Sequence, residues 1–233
     1  VLKSLCFNGC SHTKGGSWLS EPHNQVRYSR LVADYYGVPD INIAICGDSN
    51  DGLVRRSIQY LEENTVDIFI IQYTHPDRCE WVDDNGQLYS WLPQEKDVSV
   101  EQYYKHVYTK LNSLQNAYKN MHLFDLYCKS RKQKYIPFVA EHLYEYDVDY
   151  DLTEYKDGKA MWSSMVLGQQ PLNRYQWFYR STEPLSWKNI YNYKPTRLFP
   201  TGLFPLESHK HPSAEEYKEM AKIVIGKIDE LIV

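Results

Sequence analysis

The chain has 233 residues, a formal net charge of −4 and 24% charged residues. This length suits one α/β domain with a sizeable core, and the mild acidic balance predicts no binding of nucleic acid or of an anionic membrane. No apolar run approaches the ~20 residues that a membrane-spanning helix needs. The cysteines are odd in number and scattered, which favours free thiols in a reducing compartment. They are Cys6, Cys10, Cys46, Cys79 and Cys128.

The first 75 residues alternate between strand and helix patterns. Apolar runs and helical spacings predict strands over 2–7, 41–45 and 66–73, with helices over 28–36 and 50–61 between them. Gly37 ends the first helix, and Ser49 or Asn50 can cap the second. Such alternation predicts parallel βαβ units.

Two segments interrupt this alternation. Residues 76–98 are predicted to form a loop insertion, in which Asn85-Gly86 favours the turn of a hairpin between Trp81 and Trp91. Residues 141–205 show no clear period but are too aromatic for disorder, so we expect a loop-rich insertion over the carboxyl edge of the sheet. Its tyrosines and tryptophans suit either a second small core or a pocket that stacks on a sugar or buries an acyl chain.

The later elements are mostly helical. From Ser99, apolar residues at alternating spacings of three and four predict one long helix, which either packs on the sheet or forms a short coiled-coil seam in a homo-oligomer. That stripe comprises Tyr104, Val107, Leu111, Leu114, Tyr118 and Met121. Residues 124–132 continue this helix or form another, and 135–140 predict the fourth strand. After Pro212, residues 213–216 form a capping box that begins the last helix.

One serine holds a position suited to chemistry. Ser11 follows the first strand directly after Gly9-Cys10, and open α/β sheets place their active sites at the carboxyl ends of strands. A serine becomes a nucleophile only with a base to take its proton and donors to stabilise the oxyanion. By itself, Ser11 fits a turn or a helix cap equally well. His211, just before the last helix, is the candidate base.

The segment 9–13, Gly-Cys-Ser-His-Thr, resembles the first block of the SGNH (GDSL-like) hydrolases, in which a Gly-Asp-Ser turn holds the nucleophile. Residues 42–49 resemble the second block, whose glycine, here Gly47, donates a backbone N–H to the oxyanion hole. Thr74 stands where the family has the asparagine of its third block. The last block, Asp-x-x-His, is half present, because Ser208 precedes His211 at the aspartate position.

The resemblance implies a three-layer α/β/α sandwich with a short parallel sheet of flavodoxin-like type. The resemblance covers the four blocks and implies that the whole chain, 1–233, is one domain with insertions at 76–98 and 141–205. It also implies a serine esterase for a small acyl ester, possibly acetyl and possibly on a carbohydrate, that needs neither a cofactor nor a metal. The alternative is a weak or inactive SGNH scaffold that acts as a binding or virion-associated protein.

The resemblance also implies residue roles. Ser11 is the nucleophile and His211 the base, while the backbone of Ser11 and Gly47, together with Thr74, forms the oxyanion hole. Glu207 is a possible orienting acid in place of the missing aspartate. Four further residues are possible pocket residues, although each also fits a structural role: His12, Asn50, His75 and Arg78.

Two short motifs sharpen the resemblance. Residues 48–50, Asp-Ser-Asn, and residues 74–78, Thr-His-Pro-Asp-Arg, are similar to SGNH-like proteins of tailed, especially marine, phages. We therefore expect a location in the cytoplasm, of the host cell if the protein is viral, or in a virion, with no signal peptide. His209 and His211 resemble a metal-binding pair, but no third ligand lies at a suitable spacing, so we predict no metal site.

Overall fold

The computed structural model describes residues 2–15, 26–92, 97–139 and 212–232, and the predicted insertion over 141–205 lies outside these residues. The elements in chain order are β1 (Leu5–Asn8), α1 (Ser11–Lys14), α2 (Tyr28–Tyr36), β2 (Asp40–Asn42), α3 (Asn50–Glu63), β3 (Ile68–Tyr73), β4 (Cys79–Val82), β5 (Leu88–Trp91), α4 (Val98–His106), α5 (Lys110–Ser130), β6 (Lys134–Val139) and α6 (Ala214–Ile232). No helix within the described ranges is long and apolar enough to cross a membrane.

Within the described residues, four parallel strands form the central sheet in the order β2-β1-β3-β6. Leu5 of β1 lies opposite Asp40 on one side and Ile68 on the other, and Ile68 lies opposite Lys134. The second strand therefore lies on one side of β1, and the later strands lie on the other. In open α/β sheets this reversal marks the point where ligands bind, at the carboxyl ends of the strands.

Helices cover both faces of the sheet, because successive side chains of a buried strand point to opposite faces. Leu5 and Phe7 point toward α2 and α6, whereas Cys6 between them points toward α3 and α5. The first face packs against Tyr28, Val32, Tyr217, Met220, Val224 and Ile228. The second packs against Leu53, Val54, Leu61, Ala117, Met121, Phe124 and Cys128. The result is a three-layer α/β/α sandwich of flavodoxin-like type, as predicted.

Side-chain and glycine caps set several helix ends at the predicted places. Gly37 ends α2 in the left-handed conformation, with φ of 64°. Ser49 caps α3, since its Oγ accepts a hydrogen bond from the N–H of Gly52 at 3.1 Å. The capping box of α6 forms reciprocally: the Ser213 N–H donates to Glu216 Oε2 at 2.6 Å, and the Glu216 N–H donates to Ser213 Oγ at 3.3 Å.

The prediction of one continuous helix from Ser99 is wrong. The chain forms α4 and α5 with a break at 107–109, and Val107 is 62% exposed. Thr109 adopts an extended conformation, and its Oγ1 accepts a hydrogen bond from the N–H of Asn112 at 3.1 Å. A threonine that caps the next helix in this way competes with continuation of the previous one, so the stripe is not a single seam.

The predicted hairpin is confirmed as the antiparallel pair β4–β5. Cys79 lies opposite Trp91, and Gly86 takes a positive φ of 78° in the turn. The rings of Trp81 and Trp91 stack with their centroids 5.0 Å apart. Ser90 of β5 donates to a carboxylate in the loop before α3, so the hairpin lies against the carboxyl edge of the sheet.

Candidate active site

Ser11 opens a single helical turn immediately after β1. The N–H groups of Thr13 and Lys14 both donate to the carbonyl of Cys10, at 3.0 and 2.9 Å, and this closes the turn. Ser11 is 7% exposed. A Cβ atom at Gly9 would lie 2.8 Å from Thr13 Cβ and 3.0 Å from Gln72 Cβ, so only glycine lets the turn fold back this closely on the sheet.

Two buried side chains hold this turn. Thr13 Oγ1 donates to Gln72 Oε1 of β3 and lies 2.9 Å from the hydroxyl of Tyr28 on α2. Gln72 Nε2 in turn lies 3.6 Å from Cys10 Sγ. Burial holds the pKa of Tyr28 far above its ordinary value, so the phenol stays neutral. The segment that carries Ser11 is thus tied to both β3 and α2.

The loop after β2 runs alongside the end of β1. The N–H of Ile43 donates to the carbonyl of Phe7 at 2.9 Å, and the N–H of Ile45 donates to that of Gly9 at 3.2 Å. Gly47 follows in this loop with φ of 76°, a left-handed conformation that glycine adopts without steric cost. The second predicted block therefore lies beside the first.

A buried ion pair fixes this loop, and its arginine was not among the predicted site residues. Asp48, which is 3% exposed, pairs with Arg56 of α3 and accepts from Ser90 Oγ at 3.1 Å. Arg56 also donates to the carbonyl of Ile43 at 3.0 Å and to Asn8 Oδ1 at 3.3 Å. Its guanidinium therefore joins the ends of β1 and β2. Helical spacing places Arg56 on α3 but does not show that it turns inward.

Thr74, at the end of β3, is held by a side-chain amide. Its N–H donates to Asn50 Oδ1 at 2.9 Å, and Asn50 Nδ2 donates back to the Thr74 carbonyl at 3.1 Å. Asn50 is 2% exposed, and these bonds bind it to the backbone of β3. Arg78 Nη1 donates to Thr74 Oγ1 at 2.8 Å and lies 3.4 Å from the carbonyl of Asp48.

The two candidate pocket histidines lie next to the same segments. His12 adjoins Ser11 and is 8% exposed. His75 follows Thr74, and its Nδ1 lies 3.5 Å from Asp77 Oδ1. The hydroxyl of Tyr104 donates to the backbone carbonyl of Asp77 at 2.7 Å, which anchors this loop to α4.

His211 and Glu207 lie outside the described residues, but the start of α6 is described. Tyr217, in the first turns of α6, is fully buried, and burial raises its pKa. It belongs to the same buried cluster as Phe7 of β1 and Tyr28 of α2, so the first turns of α6 pack on the face of the sheet that α2 also covers.

The segments of three predicted blocks thus meet at one edge of the sheet. Ser11 follows β1, Gly47 follows β2 on one side, and Thr74 follows β3 on the other. In the described ranges, no group of three or more His, Cys, Asp or Glu side chains could hold a metal ion. The arrangement offers a serine hydroxyl together with backbone and side-chain donors.

The fold, a parallel sheet between two helical layers, is shared with solved structures of other proteins. The crystal structure of TesA is similar, with a TM-score of 0.50 and 11% identity over 98% of this chain and 99% of that one. A member of the lipolytic protein G-D-S-L family from Veillonella parvula has a TM-score of 0.45 and 14% identity, with 97% of each chain covered. The acetylxylan esterase Axe2 from Geobacillus stearothermophilus has a TM-score of 0.47 and 14% identity over 97% of this chain and 94% of that one.

No protein-family model matches the chain, and no curated protein matches its sequence. At 11% identity, the similarity to TesA establishes the fold alone. The argument for a reaction therefore rests on the residues of the site.

Proposed function

We propose that the protein is a serine esterase that hydrolyses a small acyl ester, with Ser11 as the nucleophile. One observation carries the proposal: Ser11 lies at the carboxyl end of β1, where the succession of strands reverses. This is the place where open α/β sheets bind their ligands. Segments from both neighbouring strands flank it, so donors from β2 and β3 can face one substrate atom.

The proposed chemistry follows from these groups. Ser11 Oγ attacks the ester carbonyl carbon while His211 takes the hydroxyl proton, and the carbonyl oxygen becomes an oxyanion. Collapse of this intermediate breaks the C–O bond, and the imidazolium returns its proton to the departing alcohol. His211 then takes a proton from water as the water oxygen attacks the acyl carbon, and the imidazolium returns that proton to Ser11 Oγ as the acyl–serine bond breaks and the acid leaves. These steps use no metal or cofactor.

The proposed oxyanion hole consists of the N–H groups of Ser11 and Gly47 and the hydroxyl of Thr74. The rigidity of its supports favours this role, because preorganised donors stabilise developing charge without reorganisation. Asn50 clamps the Thr74 peptide, and the Asp48–Arg56 pair clamps the loop of Gly47. A missing donor in such a hole typically costs about 10²–10³ in rate.

The base belongs to the proposal as well. His211 directly precedes the buried Pro212 and the capping box of α6 in the sequence, and Tyr217 in the first turns of that helix packs in the same cluster as Phe7 of β1. Glu207 is the proposed orienting acid. Removing the acid alone from such a triad costs less than removing the serine or the histidine.

The proposed substrate follows from the burial of the residues around Ser11 and from the aromatic composition of 141–205. Ser11 and His12 are nearly buried, which favours a small acyl group over a long chain. The tyrosines and tryptophans of 141–205 favour a sugar as the alcohol part. The resemblance to phage proteins, and the host-cytoplasmic or virion-associated location that it implies, stays a prediction.

Hydrolysis of p-nitrophenyl acetate by the wild type, Ser11→Ala and Ser99→Ala tests the proposal. Ser99 is exposed at the start of α4, so the control variant should match the wild type, whereas Ser11→Ala should lose all turnover above background. A fluorophosphonate should label Ser11 in the wild type and in the control. Equal hydrolysis by the wild type and Ser11→Ala would favour the alternative, a non-catalytic scaffold that binds a ligand.

A further inference from the structure

Arg78 differs from the other arginines in the described ranges. Each of the others lies within ion-pair distance of a carboxylate, and they are Arg27, Arg30, Arg55, Arg56 and Arg131. The hydrogen bonds of Arg78 go instead to two uncharged oxygens, Thr74 Oγ1 and the carbonyl of Asp48. Asp48 pairs with Arg56, and Glu80 pairs with Arg55.

One nitrogen of Arg78 joins two of the proposed oxyanion segments. Nη1 lies 2.8 Å from Thr74 Oγ1, at the end of β3, and 3.4 Å from the carbonyl of Asp48, the residue after Gly47. These segments come from strands on opposite sides of β1. Arg78 therefore ties the segment after β3 to the segment after β2, the two segments on either side of the end of β1.

The direction of the bond to Thr74 decides how that hydroxyl behaves. A guanidinium donates only, so Thr74 Oγ1 must accept from Arg78. The hydroxyl proton therefore points away from the guanidinium, and the bond to Arg78 leaves that proton available for donation to another group. The positive charge also strengthens that donor, because a polarised chain of hydrogen bonds is cooperative.

We propose that Arg78 is a positioning residue for the oxyanion hole, which it completes by orienting Thr74 as the third donor. This inference rests on the proposed esterase function and deepens it. An asparagine amide has its own N–H donors and needs no such partner, whereas a threonine hydroxyl must be oriented. The pair Thr74–Arg78 thus takes the place of the single asparagine.

A double-mutant cycle in hydrolysis of p-nitrophenyl acetate tests this coupling. Arg78→Gln and Thr74→Val should each lower kcat by about 10²-fold with KM changed by less than about 3-fold, because the lost interaction forms only in the transition state. The double variant should be no slower than Thr74→Val. In a Thr74→Asn background, Arg78→Gln should cost less than about 5-fold. Arg78→Lys, which still donates, should recover part of the loss.

Arg55→Gln is the matched control, because this partly exposed arginine of α3 pairs with Glu80 and donates its hydrogen bonds to Glu80 rather than to Thr74 or Asp48, and it should retain wild-type kcat. The inference would be overturned if Arg78→Gln lowered kcat by the same factor in the wild-type, Thr74→Val and Thr74→Asn backgrounds. That result would mean that Arg78 supports the fold in general and not Thr74.

A urea-unfolding cycle of the same variants separates this inference from the proposed function. If the wild type shows no Ser11-dependent turnover, the esterase function fails, and the Arg78–Thr74 bond is judged by stability alone. The pairing is supported if the double variant loses less free energy of unfolding than the sum of the losses of Arg78→Gln and Thr74→Val. Additive losses overturn it.

Discussion

Replacing Gly9 by alanine should separate the turn that carries Ser11 from the sheet. The new Cβ would lie 2.8 Å from Thr13 Cβ and 3.0 Å from Gln72 Cβ, and closer still to Thr13 Oγ1. Overpacking of this kind costs about 1–3 kcal/mol. Displacing Thr13 also strains its bonds to Gln72 and Tyr28, at about 1 kcal/mol for each bond lost. We expect a total loss of about 3 kcal/mol in the free energy of unfolding.

For a chain of this length, 1 kcal/mol corresponds to about 2–4 °C in Tm, so Gly9→Ala should melt about 6–12 °C lower. Activity should fall further than stability requires, because a reacting atom misplaced by about 1 Å can cost 10²-fold in rate. The measurements are thermal unfolding, p-nitrophenyl acetate hydrolysis at a temperature where the variant is folded, and fluorophosphonate labelling of Ser11.

Gly226→Ala is the matched control for the same chemical change. Gly226 lies inside α6 with no atom near its would-be Cβ, so alanine there should stabilise the helix by about 0.5–1 kcal/mol. The double variant Gly9→Ala/Thr13→Ala should recover part of the lost stability, since it removes one of the clashing atoms. Wild-type stability and labelling in Gly9→Ala would refute the close-approach argument.

Three further results are expected. Arg56→Met should lower the free energy of unfolding by about 3 kcal/mol, because it leaves the buried Asp48 carboxylate unpaired, and the double variant with Asp48→Asn should lose less in urea titrations. Two backbone N–H groups before β1, those of Lys3 and Ser4, donate to Asp67 and lower its pKa below the ordinary 3.8. The ionised carboxylate therefore stabilises the fold above pH 3.8, and this contribution is lost as the pH falls through the lowered pKa. Asp67→Asn should therefore show a shallower loss of stability in acid than the wild type. Iodoacetamide should modify the exposed Cys46 before the buried Cys128, because burial raises the pKa of Cys128 to about 12. Mass spectrometry of the native protein during labelling gives the order, and earlier modification of Cys128 would contradict its burial.

Local patterns were sufficient where a single short-range interaction sets the structure. The cap at Ser49, the left-handed Gly37 and the reciprocal pair Ser213–Glu216 each involve residues within a few positions of one another. The alternation of apolar runs and helical stripes likewise predicted the parallel sheet between helical layers. The sequence predicted the ends of strands less accurately, since the second strand was expected over 41–45 and spans Asp40–Asn42.

The break between α4 and α5 shows where periodicity fails. The spacing of apolar residues continues across 107–109, but the Thr109 side chain begins a new helix there. Tyr104 of α4 also contacts the hairpin, where its hydroxyl oxygen lies 2.9 Å from the carbonyl oxygen of Trp91. A contact of that kind depends on the position of the hairpin and leaves no trace in helical spacing.

The sequence by itself determined the layered fold and the serine at the end of the first strand, since both follow from local patterns and from the geometry of parallel sheets. Only the tertiary structure decided what supports that serine. Arg56 faces inward to the buried Asp48, Asn50 clamps Thr74, and Arg78 bridges the segments after β2 and β3. The physical reason is that a polar side chain on a helix or loop can face water or a buried partner. Which it does depends on atoms brought together from distant parts of the chain.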